Sequence, residues 1–412
     1  VNKILIIGQV WPEPTTTAAG QRMMQLLETF RDFGYTVIFG STATPTPYSL
    51  DLDAMQVESV SLQMNHSSFD KFIQDLKPHI VVFDRFITEE QFGWRVAECA
   101  PQAVRVLNTE DLHSLRKSRE DCYKIGEGFN VNHWKNHPMA LRELASIYRS
   151  DLSLMVSSYE MQLLTQEAKV PDNILLYLPL MAYELYPDDV LSWPNFNECQ
   201  DFVCVGNGKH APNVEAIKTL KKNIWPQIKK ALPNTRLLVY GAYLPQQVLE
   251  MHNPKEGFEV KGWVEDLDAV LQNARLLLAP IQFGAGIKGK LIDAMSNGTP
   301  SITTPVGAEG MNDNFQWPGF ICPNLEGFAQ CAIELYQNQE KWSQAQTHGI
   351  MIINSLYAKR KLQDKFIECL ENLGNQLEIH RTQNLVGKML HQQGLAATKY
   401  MGKWIEEKNK PK

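Results

Sequence analysis

The chain lacks any run approaching the roughly 18 consecutive apolar residues of a membrane-spanning helix, so membrane contact is expected to be at most peripheral. It also lacks a CxxC pair. Its seven cysteines are scattered at Cys99, Cys122, Cys199, Cys204, Cys322, Cys331 and Cys369. An odd, unpaired set reads as reduced thiols rather than a disulfide frame or a zinc site. Neither sign of charge is in large excess. Forty Lys and Arg against 46 Asp and Glu leave a formal net charge of -6. That supplies no global basic field for nucleic acid, and no nucleic-acid partner is expected. Short-period repeats and low-complexity segments are missing, and the opening run Lys3 to Gly8 has no signal-peptide layout. The expected location is cytoplasmic, with peripheral contact at the inner membrane face as the alternative.

What is present is an ordinary globular mixture, 44% hydrophobic and 21% charged over 412 residues, enough for two or three domains. Short apolar runs alternate with helical spacing. Strands are predicted at Lys3–Gly8, Val37–Phe39, Ile80–Phe83, Val104–Leu107, Leu152–Val156 and Ile174–Leu178. The segment 179–200 carries Pro179, Pro187 and Pro194 and little periodicity, which marks a linker. Alternation resumes with strands at Phe202–Val205, Leu237–Tyr240, Leu276–Leu278 and Ile302–Thr304. Helices are predicted at Ala216–Ala231, Leu267–Asn273 and Lys290–Asn297. From about Leu325 the pattern is helical and ends in a basic tail, Lys403 to Lys412. Alternation of this kind predicts two successive α/β domains, each a parallel sheet covered on both faces.

The most informative segment runs Ala279-Pro280-Ile281-Gln282-Phe283-Gly284-Ala285-Gly286-Ile287-Lys288-Gly289-Lys290 and continues through Asp293 to Pro300. It reads as strand, glycine turn, helix, glycine stop and strand. Glycines let backbone approach an anion, and the helix start beyond them offers free N–H groups and a positive dipole end. Lys288 and Lys290 add two cations, and Asp293 lies one helical turn on. A phosphate or pyrophosphate is the natural guest. The plainer reading of a bare GxG is a turn with solvated lysines.

Several further pieces occur in order around that segment. They are Phe202–Gly206 followed by Pro212-Asn213, Leu237–Gly241, Lys261–Leu267, and Thr303–Met311. Over about 110 residues their order and spacing resemble the C-terminal domain of family 4 (group 1) glycosyltransferases of the GT-B fold. The resemblance implies an α/β GT-B architecture: two Rossmann-like domains facing a cleft, with C-terminal helices crossing back. The domains would span 1–180 and 201–372, joined by a linker at 181–200, with returning helices at 373–412. By the same resemblance Gly262, Trp263 and Val264 read the nucleotide base, while Gly284, Gly286 and Lys288 hold diphosphate and sugar. Lys290 is a second cation, Asp293 stands where a ribose-bonding Glu is usual, and Glu309 falls in the last donor piece. The Glu usual eight residues before Asp293 is replaced by Ala285.

In the N-terminal half, Gly20 near a helix start and Arg22 are candidates for binding an acceptor phosphate or the donor pyrophosphate. An ordinary βα loop is the plainer reading. Asn108 to Arg116 follows a predicted strand, where similar enzymes carry a polar segment facing the reacting sugar. His113 is the candidate proton shuttle, and Asp111 or Glu110 an acid or base. The alternative is a helix cap by Asp111 or Thr109, with His113 merely on the first turn. Arg116, Lys117 and Arg119 form a basic helical face read as solvated.

No metal is expected. His133 and His137 lack nearby acidic ligands, Asp51-Leu52-Asp53 falls in a loop, and Asp266-Leu267-Asp268 opens a helix. The expected function is therefore transfer of a sugar from a nucleotide-diphosphate donor to a hydroxyl of a glycan, lipid or protein, without cofactor. A nucleotide-sugar 2-epimerase of the same fold and a non-catalytic binding protein on a decayed transferase domain are the alternatives.

Overall fold

The structure, a computed structural model, describes residues 2–392 together with 401, 404 and 408. Most of the basic tail Lys403 to Lys412 lies outside the described residues.

Two parallel sheets carry the architecture. The first consists of β1 (Lys3–Gly8), β2 (Thr36–Ser41), β3 (Glu58–Ser61), β4 (Ile80–Asp84), β5 (Val104–Asn108), β6 (Leu152–Met155) and β7 (Leu175–Tyr177). Their order in space is β3-β2-β1-β4-β5-β6-β7. Runs such as Ile80–Phe83 are apolar on both faces because helices cover both sides of the sheet. Strand β1 sits centrally, pairing Ile4 with Val37 on one side and with Ile80 on the other.

The second sheet consists of β8 (Gln200–Val205), β9 (Leu237–Tyr240), β10 (Phe258–Gly262), β11 (Ala274–Ala279), β12 (Ser301–Thr303) and β13 (Gly319–Ile321). Its order is β10-β9-β8-β11-β12-β13. In both sheets the strand order reverses beside the first strand, between β1 and β4 and between β8 and β11. Such a switch point opens a crevice at the carboxyl ends of the strands, where α/β sheets bind ligands.

Three strands were not expected from the sequence: β3, β10 and β13. Their burial is broken, as in Glu58–Ser61, so they lack the continuous apolar run that marks a central parallel strand. The helix expected at 216–231 is longer: α-helical turns at Ala211–Thr219 and Trp225–Ala231 flank a π-helical turn at Leu220–Ile224.

The return to the first domain also begins earlier than the expected 373. The helix Lys359–Asn375 already packs Phe366, Ile367, Leu370 and Leu373 into the core that holds Ile4, Leu26 and Phe30. Each fully buried side chain of this kind contributes roughly 1.5–3 kcal/mol. The chain crosses between the domains twice at one place. Ala182 N–H donates to Tyr357 O and Lys359 N–H to Ala182 O, both at 2.8 Å.

Candidate active site

The two switch points face each other across a cavity of about 670 Å³. The first sheet contributes Gln9 after β1, Asp84 and Arg85 at the end of β4, and Glu110, Asp111 and His113 after β5. The second contributes Gly206 after β8, Gly241 after β9, Trp263 and Val264 after β10, and the turn after β11.

That turn is built as its glycines suggest. Gly286 has φ +63°, and a Cβ there would stand 2.7 Å from the Cβ of Asp111 across the domain boundary. Lys288 stands at the N-cap of the helix Gly289–Ser296 with extended backbone. Its ammonium folds back onto the turn, donating to Gly286 O at 2.7 Å and Ala285 O at 3.3 Å. It is half-buried rather than solvated. Burial draws its pKa down to about 8, against the opposing charge of Glu309. Lys290 also lines the cavity and donates to Asn213 Oδ1 at 2.7 Å. Asp293 lines it too, and burial together with the charge of Asp268 pushes its carboxyl up to about 7.

Opposite this turn, the helix His113–Ile125 starts at His113. Neither Asp111 nor Thr109 caps it. Glu143, from the helix Pro138–Arg149, accepts from His113 N–H at 2.9 Å, Ser114 N–H at 3.0 Å and Ser114 Oγ–H at 2.5 Å. Asp111 is thereby left to the cleft. Its Oδ2 accepts from Arg116 at 2.5 Å, and its unbonded Oδ1 stands 3.3 Å from His113 Nε2. Burial would raise Asp111, but the charges of Arg116 and His113 hold it down at about 2. It is therefore a carboxylate at neutral pH and no proton donor. Burial, against the pull of Asp111, lowers His113 to about 4, so its imidazole is neutral. A neutral imidazole beside a fixed carboxylate can accept a proton from a hydroxyl. Burial and the charge of Asp84 raise Glu110, the other acid or base candidate, to about 8.

Four of the expected ligands are otherwise engaged or lie off the cavity lining. The Gly20 N–H is taken by Thr17 Oγ1 at 2.9 Å, which caps the helix Ala18–Asp32, so it offers no free donor to an anion. Gly20 instead has to be glycine because a Cβ would meet the Glu13 carbonyl at 2.3 Å. Arg22 is fully buried beneath the cleft, donating to Pro179 O at 2.8 Å and Asn108 Oδ1 at 3.3 Å. Glu309 is engaged by Arg119 at 2.7 and 2.8 Å and is not among the lining residues. Gly262 ends β10 behind the cavity wall, and its carbonyl accepts from Gly241 N–H at 2.8 Å.

Sequence reasoning misread Arg119 and passed over Glu13, Tyr48 and Tyr243. Arg119 is not solvated; it crosses to the second domain and also donates to Gly284 O at 2.8 Å. Glu13 bridges the mouth of the cleft, accepting from Tyr243 at 3.0 Å, Thr46 at 2.6 Å and Thr16 at 2.7 Å. Tyr48 meets Tyr243 edge-on and Trp263 at a tilt, with ring centroids 5.5 and 5.2 Å apart, and so backs two residues of the cavity wall. Apart from Thr16, their partners lie too far along the chain for any local pattern to reveal them.

Among the described residues, no three His, Cys, Asp or Glu side chains gather as a metal would require. His133 turns to Glu127 at 3.1 Å and His137 to Asp121 at 3.6 Å. Asp266 caps its helix through Ala269 N–H at 2.9 Å. Among the described residues, no helix is long and apolar enough to cross a membrane.

Residues 199–338 match the family model described as glycosyl transferases group 1. No curated protein sequence matches the chain. Among solved structures, sucrose-phosphate synthase from Thermosynechococcus elongatus aligns with a TM-score of 0.68 at 15% identity, covering 90% of this chain and 99% of that one. A glycosyltransferase from Rickettsia africae ESF-5 aligns at 0.65 and 11% identity, over 90% and 98% of the two chains. Anabaena HepE, solved in complex with UDP and glucose, aligns at 0.64 and 13% identity, over 90% and 100%. The fold is GT-B.

Proposed function

We propose, for a chain with a group 1 glycosyl transferase domain at residues 199–338 and the GT-B fold, transfer of a glycosyl group from a nucleotide-diphosphate sugar to an acceptor hydroxyl. The observation that carries this reading is the confrontation in one cavity of a cationic glycine turn with a neutral His113 beside a fixed Asp111. The first suits a diphosphate leaving group, and the second suits an attacking hydroxyl. The HepE structure, with UDP and glucose bound, supports the same donor class.

In this mechanism Trp263 and Val264 receive the nucleotide base and Asp293 the ribose. Lys288, Lys290 and the N–H groups opening the helix Gly289–Ser296 receive the diphosphate. His113 accepts the acceptor proton while Asp111 stabilises the imidazolium that forms. Charge growing on the leaving diphosphate meets lysines and helix dipole, so no metal is needed. The acceptor is a glycan, lipid or protein hydroxyl.

A thermal-shift screen of UDP-, GDP-, ADP- and dTDP-sugars with EDTA present tests this directly. A ligand that binds only the native state raises the melting temperature. One nucleotide sugar should do so without added metal. No shift with any donor would overturn the donor reading, and a shift that requires Mg²⁺ or Mn²⁺ would overturn metal-free binding.

A further inference from the structure

The short helix Ser158–Gln162 follows β6 and carries Glu160, whose side chain is completely enclosed. One of its oxygens, Oε1, accepts two backbone N–H groups from opposite sides of the cleft. Gly286 of the glycine turn donates at 2.8 Å, and Leu112, between Asp111 and His113, donates at 3.1 Å. The other oxygen, Oε2, is buried and has no partner.

Arg119 grips the same turn, but its guanidinium is anchored on Glu309 and on Gly284 O, both in the second domain. Glu160 differs because a single atom bonds both loops. The bare Cα of Gly286 lets the turn come that close, since any side chain there would strike Asp111.

We propose that Glu160 is a positioning residue of the transfer reaction: through Oε1 it fixes the spacing between the donor turn and the loop that carries Asp111 and His113. The proposal rests on the donor reading of that turn. Burial, with the charge of Asp111 adding to it, pushes the Glu160 carboxyl up to about 8, so at neutral pH it carries a proton. A neutral acid accepts both N–H bonds without setting a negative charge beside a turn that receives a diphosphate. The unbonded Oε2 is the place for that proton.

The test compares wild type with Glu160→Gln and Glu160→Met. Glutamine keeps an acceptor oxygen, whereas methionine fills similar volume without one. Amide exchange in the free protein, read at residue resolution, should show Leu112 and Gly286 both protected in wild type. In Glu160→Met both should exchange faster together, by about tenfold or more, while Glu160→Gln stays within about twofold of wild type. UDP affinity by calorimetry should follow the same order. Unprotected exchange at either amide in wild type would overturn the proposal, a result available even if the methionine variant does not fold. So would a folded Glu160→Met with wild-type exchange at either loop, or a Glu160→Gln no better than Glu160→Met. Failure of the donor reading shows separately, as wild-type protein that binds no nucleotide sugar while the exchange comparison still decides the tie.

Discussion

Lys288 does two things at once. Its ammonium closes the glycine turn by bonding the carbonyls of Ala285 and Gly286, and it presents a cation to the cavity. A solvated lysine would be removable at little structural cost; this one is part of the turn. Lys288→Ala should therefore weaken donor binding and lower turnover by more, because the contact strengthens as charge grows on the leaving group. The loss in transition-state stabilisation should be roughly 2–4 kcal/mol. Donor calorimetry beside steady-state rates measures it, with circular dichroism as the folding control. Wild-type affinity and rate in a folded variant would place the phosphate site elsewhere. At this scale the sequence showed most where chemistry is local. Glycines and lysines within one turn imply an anion site whatever the rest of the chain does. Burial is not local, so nothing in the sequence showed that Arg22 is fully enclosed and bonded to Pro179 O. Glu160 gave no signal at all, because its partners lie 48 and 126 residues away.

The helix His113–Ile125 shows how an element is placed by a neighbour rather than by its own cap. Its first N–H groups have no capping side chain on the preceding residue, Leu112. Glu143 reaches across from another helix to receive them, and Trp134 steadies Ser114 by donating to its hydroxyl at 2.8 Å. Removing Glu143 would leave buried donors unsatisfied, at a cost of about 1–3 kcal/mol. Glu143→Ala should thus melt lower and also lose turnover, since the helix start that holds His113 is released. Glu143→Gln, which keeps an acceptor oxygen, should recover most of both. A chemical-denaturation series with parallel rate measurements distinguishes them. If the alanine variant is as stable as wild type, the cap is not what sets this helix. Strands followed a similar logic. Central strands such as β4 were plain in the sequence, at Ile80–Phe83, because burial on both faces demands an unbroken apolar run. The edge strands Glu58–Ser61 and Gly319–Ile321 face water on part of their surface, and that demand does not apply to them.

Across the whole molecule, the enclosed carboxyls set a pH dependence. Burial holds Glu143 up at about 7 and, with the charge of Asp111, Glu160 at about 8, both above the ordinary value of 4.5. Between those values the folded chain keeps protons that the unfolded chain has released. Stability from these groups is thus complete below about pH 4.5 and is lost as pH rises through 7 and 8. His113 and His210, drawn down to about 4, work the other way, but their contribution is finished by pH 6.5. Lys288 begins to oppose the trend only above about 8. Glu110, at about 8, and Asp293, at about 7, add to the same trend. Melting temperature should therefore fall from pH 6.5 to 8, and the double variant Glu143→Gln, Glu160→Gln should make that fall shallower without abolishing it. A wild-type profile level or rising across this window would contradict the protonated state of these carboxyls, and a double variant as steep as wild type would contradict it for Glu143 and Glu160. Two parallel sheets covered by helices were legible from alternation alone. What the alternation did not reveal was the point at which the chain comes home.

That point has a consequence for how the protein is made. The chain leaves the first domain at Ala182 and re-enters at Lys359 through paired backbone bonds. The second domain is thus an insertion within the first. During synthesis, the face formed by Ile4, Leu26 and Phe30 emerges from the ribosome long before Phe366, Ile367 and Leu370, which cover it, have been translated. The domain encoded first is the one that must finish last. Its core lacks Phe366, Ile367 and Leu370 until the whole second sheet has been translated.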